Sequence, residues 1–224
     1  MKFHTSAGIE PTPSCLPVER LDHYTTEAGY VRCMKSCYET RIGGKMVLTV
    51  SVTHIFQLPI EQVVKIYFKH HPQFRKLDGE LKDTREIEHT YNEEDEISCV
   101  KTNLTYSNFI PKLLRKIPKL EEPDLVMEEE CWIDMLENHY WVRLRNLTWN
   151  DSVSALRTFA FTPDPQNPKW TRYECDGAVE FQNWGWVGQG IEIFMKNNMK
   201  KIILKNIQLL TEKIEEHQKD MAHR

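Results

Sequence analysis

The sequence predicts an α+β fold: a curved antiparallel β-sheet with a short helix after its first strand, an interrupting basic segment, and a long C-terminal helix laid across the concave face. Three observations predict it. Alternating, β-branched runs recur from Met46 to Phe181, the period of half-buried strands. Most breaks between these runs are too short for parallel crossovers, so neighbours are antiparallel. Helical periodicity appears near Ile60 and again beyond Gln189, so helices close one side of the sheet and the space between can stay hollow.

Taken in order, residues 1–45 carry Pro11, Pro13, Pro17 and the Gly43-Gly44 pair and show little periodicity. They read as an irregular extension ending in a turn, and residues 46–220 as the domain. Met46 opens the first strand, with Val47, Thr49, Ser51 and Thr53 set against Leu48, Val50, Val52 and His54. Pro59 stands where a first helical turn tolerates it, and Ile60, Val63, Val64, Tyr67 and Phe68 recur on one helical face, so a helix is expected to about His70, stopping before Pro72. Strands are then expected over 80–91, 96–106, 126–137, 140–149, 153–162 and 170–181. Pro163, Asp164, Pro165, Asn167 and Pro168 predict a long, stiff loop between the last two. The acidic run Glu128-Glu129-Glu130 reads as a solvated strand end.

The last helix, from about Gln189 to Gln218, has two faces. Ile191, Met195, Met199, Ile202, Ile203, Leu210 and Ile214 form one broad apolar arc, and Phe194, Asn198, Lys201 and Lys205 a separate narrow stripe. Gly185, Gly188 and Gly190 before it read as a hinge, since no Gly-Lys-Ser/Thr follows to make a phosphate loop.

Composition narrows the function classes. Of 224 residues, 40% are hydrophobic and 28% charged, an ordinary balance for one domain with a real core. The formal charge of −4 argues against a general nucleic-acid binder, which needs a basic excess. No apolar run reaches the roughly 18 residues of a membrane span, and the first residues lack a secretory layout, so membrane work is expected to be peripheral. The six cysteines offer only Cys33-x-x-x-Cys37 as a close pair, without further ligands at metal spacing; no metal or cofactor is expected. Gly-x-Ser-x-Gly and His-Glu-x-x-His are absent.

One stretch goes further. Arg145-Asn146-Leu147-Thr148-Trp149-Asn150, then Pro165-Gln166-Asn167-Pro168-Lys169-Trp170-Thr171, then a long helix, resembles the PRELI-like proteins, which carry phospholipids between the two mitochondrial membranes. The resemblance runs from about Met46 to the last helix. It implies a START-like helix-grip fold and a non-enzymatic carrier of an anionic glycerophospholipid, phosphatidic acid being expected, in the mitochondrial intermembrane space. It implies a headgroup role for Asn198 and Lys201 and for Lys101. Lys69 or His70 would fill the site at the end of the first helix, although His70-His71-Pro72-Gln73 replaces the family's Tyr-Pro-Asn pattern. Phe109, Ile110, Lys112, Leu113 and Leu114 match its lid, whose apolar and basic side chains suit an anionic bilayer surface. A small helical twin-Cys-x9-Cys protein is the implied partner. Two other readings stay open: a START-like module that senses a lipid, or a phosphatidylserine carrier. An enzyme has no acid, base or nucleophile constellation to stand on.

Overall fold

In the computed structural model, which describes residues 39–42, 45–93, 96–112, 115, 120–134, 136–181 and 187–222, alternation becomes an eight-stranded antiparallel sheet. Its strands are β1 (Glu39–Ile42), β2 (Lys45–Phe56), β3 (Leu81–Asn92), β4 (Ile97–Ser107), β5 (Asp124–Asp134), β6 (His139–Asn146), β7 (Val153–Asp164) and β8 (Asn167–Phe181). Their spatial order is β1-β2-β8-β7-β6-β5-β4-β3. The helices are α1 (Ile60–Lys69), α2 (His71–Arg75) and α3 (Val187–Ala222). The pair α1–α2 carries the chain from β2 to β3 on the far edge, and the meander brings it back to β8 beside β2. α3 then lies against β2, β8 and α1. This is the antiparallel sheet with a short helical connection and a long C-terminal helix that the sequence predicts.

Strand alternation sets which residues face the helices. Val50, Val52 and Phe56 on β2, Leu104 and Tyr106 on β4, Val142 and Leu144 on β6, Phe159 and Phe161 on β7, and Tyr173, Cys175 and Val179 on β8 are all buried. α3 meets them with Ile191, Ile202, Ile203, Leu210 and Ile214, the apolar arc its periodicity predicts. Among the described residues no helix is long and apolar enough to cross a membrane.

The local chemistry departs from expectation in four places. The connection between β7 and β8 is no long loop: Asp164 pairs with Asn167, leaving only Pro165 and Gln166 to turn. Pro163 and Pro168 lie beyond the last pairs made by β6 and β2, so their missing N–H groups cost no ladder bond there. α1 stops at Lys69, before Pro72 as expected, but a second helix follows at once, with Pro72 in the first turn of α2, where an orphan N–H is harmless. Glu39–Ile42, expected to be irregular, pairs with the start of β2 as an edge strand; the Gly43-Gly44 turn lies outside the described residues. Finally, the 128–130 run is no solvated end, because Glu129 and Glu130 are buried in mid-β5.

Candidate functional site

The inward residues of β5–β8 divide at one row of the sheet. Glu129, Leu144, Arg157, Gly177 and Val50 are successive cross-strand partners. On one side of this row the layer under α3 is filled by Phe56, Tyr67, Phe74, Phe159, Phe161 and Tyr173, whose rings meet edge-on or tilted. On the other side the strands present Leu125, Met127, Val153 and Ala155, and α3 presents Met195, Asn198, Met199 and Ile202, around a cavity of about 780 Å³ counted out to its open mouth. Most of that space belongs to the open mouth; the room left for water-sized molecules is about 90 Å³, and the walls are overwhelmingly apolar.

The row itself carries charge. Arg157 donates from Nη1 and Nη2 to the two carboxylate oxygens of Asp78 at 2.6 and 2.8 Å, a bidentate pair with both side chains largely covered. Burial works against the guanidinium charge, but Asp78 more than restores it and holds the group above its ordinary pKa. Glu129 accepts Arg75 Nε and Nη2 at 3.0 and 2.6 Å and has His71 Nε2 at 3.3 Å. Burial alone would raise its carboxyl; His71 and Arg75 bring it down to about 2. Tyr106 donates to the carbonyl of Arg75, so α2 is tied to both β4 and β5.

His71, Glu129 and Cys131 bring ligand-type atoms within 4.8 Å of one another. Arg75 already satisfies the carboxylate, and burial beside Glu129 pushes the Cys131 thiol well up, away from the thiolate that a metal requires. The cluster fits an anchor for α2 better than a metal centre.

At the β6–β7 turn, Asn146 is consumed internally: its amide donates to the carbonyls of Thr148 and Val153, and its oxygen accepts the Ala155 N–H. That turn aims Trp149, at φ 66°, into the cavity wall. Between β4 and β5, buried Asn108 donates to the carbonyls of Leu120 and Glu122 and accepts the Ile110 N–H. Arg115 closes back on the carbonyls of Ile110 and Asn108. These bonds cinch the base of the 107–120 segment, with Ile110 and Leu120 buried against Val153, Val179 and Phe181.

The residues singled out from sequence separate. Asn198 lines the cavity; Lys201, one turn on, is exposed. Phe109 lines the cavity, Ile110 is buried and Lys112 is exposed, while Leu113 and Leu114 lie outside the described residues. Lys101 stands on the opposite face of the sheet: β4 turns Leu104 and Tyr106 inward and Lys101 outward, where Glu88 holds it at 3.0 Å and Glu130 is its cross-strand partner. Lys69 and His70 are at the end of α1. His70 has its pKa lowered by burial, Lys213 and Lys69, which places it near Lys213 on α3, roughly 18 Å along the helix from Lys201 and about 22 Å from Asn198. The structure thus brings Asn198 and Phe109 to the cavity wall, leaves Lys201 exposed one turn on from Asn198, and puts Lys101, Lys69 and His70 outside the lining. Arg157, Asp78 and Trp149 are the cavity residues that sequence reading missed. Arg157 carried a signal, since it interrupts the inward set Val153, Ala155, Phe159 and Phe161 on one strand.

Residues 61–220 match the PRELI-like family. Solved structures similar to the chain include the Zhui aromatase/cyclase from Streptomyces sp. R1128, at 9% identity and a TM-score of 0.45, covering 75% of this chain and 96% of that one. A START superfamily protein from Mycobacterium smegmatis aligns at 15% identity and 0.39, over 72% and 98%. Truncated norcoclaurine synthase from Thalictrum flavum aligns at 10% and 0.43, over 76% and 97%. At these scores nothing about activity follows from the likeness.

Proposed function

We propose, from the premise that this chain belongs to the PRELI-like family, that it carries phosphatidic acid between membranes in the mitochondrial intermembrane space. The family and the helix-grip fold make it a lipid-binding or transfer module. The observation that carries the finer reading is the apolar cavity closed by α3 and flanked by the 107–120 segment. Acyl chains exchange bilayer for a wall of Leu, Met and Val at little cost, because both surroundings are apolar. The phosphate stays at the rim. Asn198 offers it an amide there, and exposed Lys201 a point charge that needs no burial. The 107–120 segment opens against an anionic surface, with Lys112 facing the headgroups and Phe109 following the acyl chains. A small twin-Cys-x9-Cys protein is the proposed partner.

The test is transfer of fluorescent phosphatidic acid between liposomes by Lys201→Glu and, as control, Lys205→Glu, which is also exposed on α3. Lys201→Glu is expected to slow transfer about tenfold or more, the equivalent of roughly 1.4 kcal/mol, with unchanged circular dichroism, and Lys205→Glu to leave it within about twofold. Equal transfer by both variants sinks the rim site. No transfer by the wild-type chain, alone or with its partner, sinks the carrier reading itself.

A further inference from the structure

We propose that the interior of this cavity reads the fatty-acyl ester carbonyls of a glycerolipid through two N–H donors, Trp149 Nε1 and Arg157 Nε. The inference rests on the carrier reading and deepens it. Both side chains line the cavity, and both of these nitrogens are buried with no hydrogen-bond partner among the described residues. Unpaired buried donors are rare and costly, and two in one apolar wall call for a ligand that accepts.

The charge balance says which acceptor. Arg157 turns one N–H of each terminal nitrogen to Asp78, so the pair carries no net charge, and its Nε–H is the donor without a partner among the described residues. Trp149 is neutral, and the Asn146 amide is used within its own turn. A phosphate or free carboxylate pushed this deep would meet Asp78 without a cation of its own, an uncompensated buried charge. An ester carbonyl needs only a donor. The donors are held in place: Trp149 by bonds from the N–H groups of Ser152 and Val153 to its carbonyl, each 2.8 Å, and Arg157 by the bidentate pair. The headgroup therefore stays at the rim while the ester region reaches inside.

The test uses the full chain and two probes, dioleoyl phosphatidic acid and its dialkyl-ether analogue, which lacks the carbonyls, each extracted from phosphatidylcholine vesicles. Wild type is expected to take up the diester about five- to tenfold better, the range for one ordinary hydrogen bond. Trp149→Phe keeps the ring and Arg157→Lys keeps the charge toward Asp78, and each removes one donor. Each should narrow the diester preference, read as the ratio of diester to diether uptake by the same variant. Equal uptake of both lipids by wild type overturns the inference and leaves the carrier reading standing. Equal weakening of both lipids by Trp149→Phe overturns it too, reducing Trp149 to packing. Uptake of neither lipid removes both readings together. The wild-type comparison needs no variant to fold.

Discussion

The two ends of the layer under α3 are made by the same strands and the same helix, yet they are packed in opposite ways. Beyond Arg157, β7 turns Phe159 and Phe161 inward; before it, Val153 and Ala155. Beyond Gly177, β8 runs one way into Cys175 and Tyr173 and the other into Val179 and Phe181. At the aromatic end volume is filled, and the cleft among Phe56, Phe74, Phe161 and Leu210 leaves room of only about 10 Å³. At the other end aliphatic walls stop short of each other, and two buried donors are left over. Packing is dense where the rings are, and the room for the proposed ligand lies where they are not. The polar row of Glu129 and Arg157 lies between, each charge matched by a partner from the α1–β3 connection.

Truncation on each side gives the sharpest test of this contrast. Phe161, 1% exposed, should lose about 3–5 kcal/mol on Phe161→Ala, because a rigid ring cluster cannot collapse into the space. Met199 already borders empty volume and is only half-buried, so Met199→Ala should cost less than about 2 kcal/mol, below the usual range for a core methionine. Urea denaturation measures both. Equal losses would mean that the cavity is filled in solution.

A pH scan separates the ends next. His54 faces inward beside Phe56 at the aromatic end, and burial lowers its pKa from 6.5 to about 4. The unfolded chain therefore binds the proton first as pH falls. Stability is full above about 6.5 and declines toward pH 4, by on the order of 2–3 kcal/mol. Glu129, depressed to about 2 from 4.5, carries the decline further: its contribution is present above pH 4.5 and is lost as pH falls toward 2. His54→Leu should flatten the upper part of the thermal-midpoint curve and leave the lower part. An unchanged slope between 6.5 and 4 would show that His54 is hydrated.

How much of this was legible follows from what each feature depends on. β2–β8, α1 and α3 were readable because period 2 and period 3.6 are local properties. α2 and the tight β7–β8 turn were missed because proline was taken as a stop, whereas it is tolerated at a first helical turn and on a hairpin tip beyond its neighbours. β1 was missed because four residues carry no period. Asn198 was singled out by the family resemblance of its helix rather than by periodicity, and it lines the cavity wall. Lys101 was misplaced because its face depends on strand parity relative to a core that only the fold defines, and the outward set also includes Glu88 and Glu130. The Arg157–Asp78 pair joins residues from β7 and the α2–β3 connection, and nothing local announces such a contact.

The smallest effect on stability should accompany the largest on function. Ala155 is half-buried on the cavity wall, so Ala155→Leu extends into existing space, and its stability should stay within about 0.5 kcal/mol of wild type or rise slightly. Cys175 points inward at the aromatic end with 1% exposure. There Cys175→Leu adds volume to a filled layer and should cost about 1–3 kcal/mol. Lipid uptake should reverse the ranking: Ala155→Leu occupies the space for acyl chains and should abolish extraction from vesicles, while Cys175→Leu, if folded at low temperature, should retain it. Thermal melts and extraction assays on the two variants decide the matter together. A destabilised Ala155→Leu would mean that the wall closes in solution. Normal extraction by that variant would place the acyl chains elsewhere, and the division between a filled end and a binding end would fail.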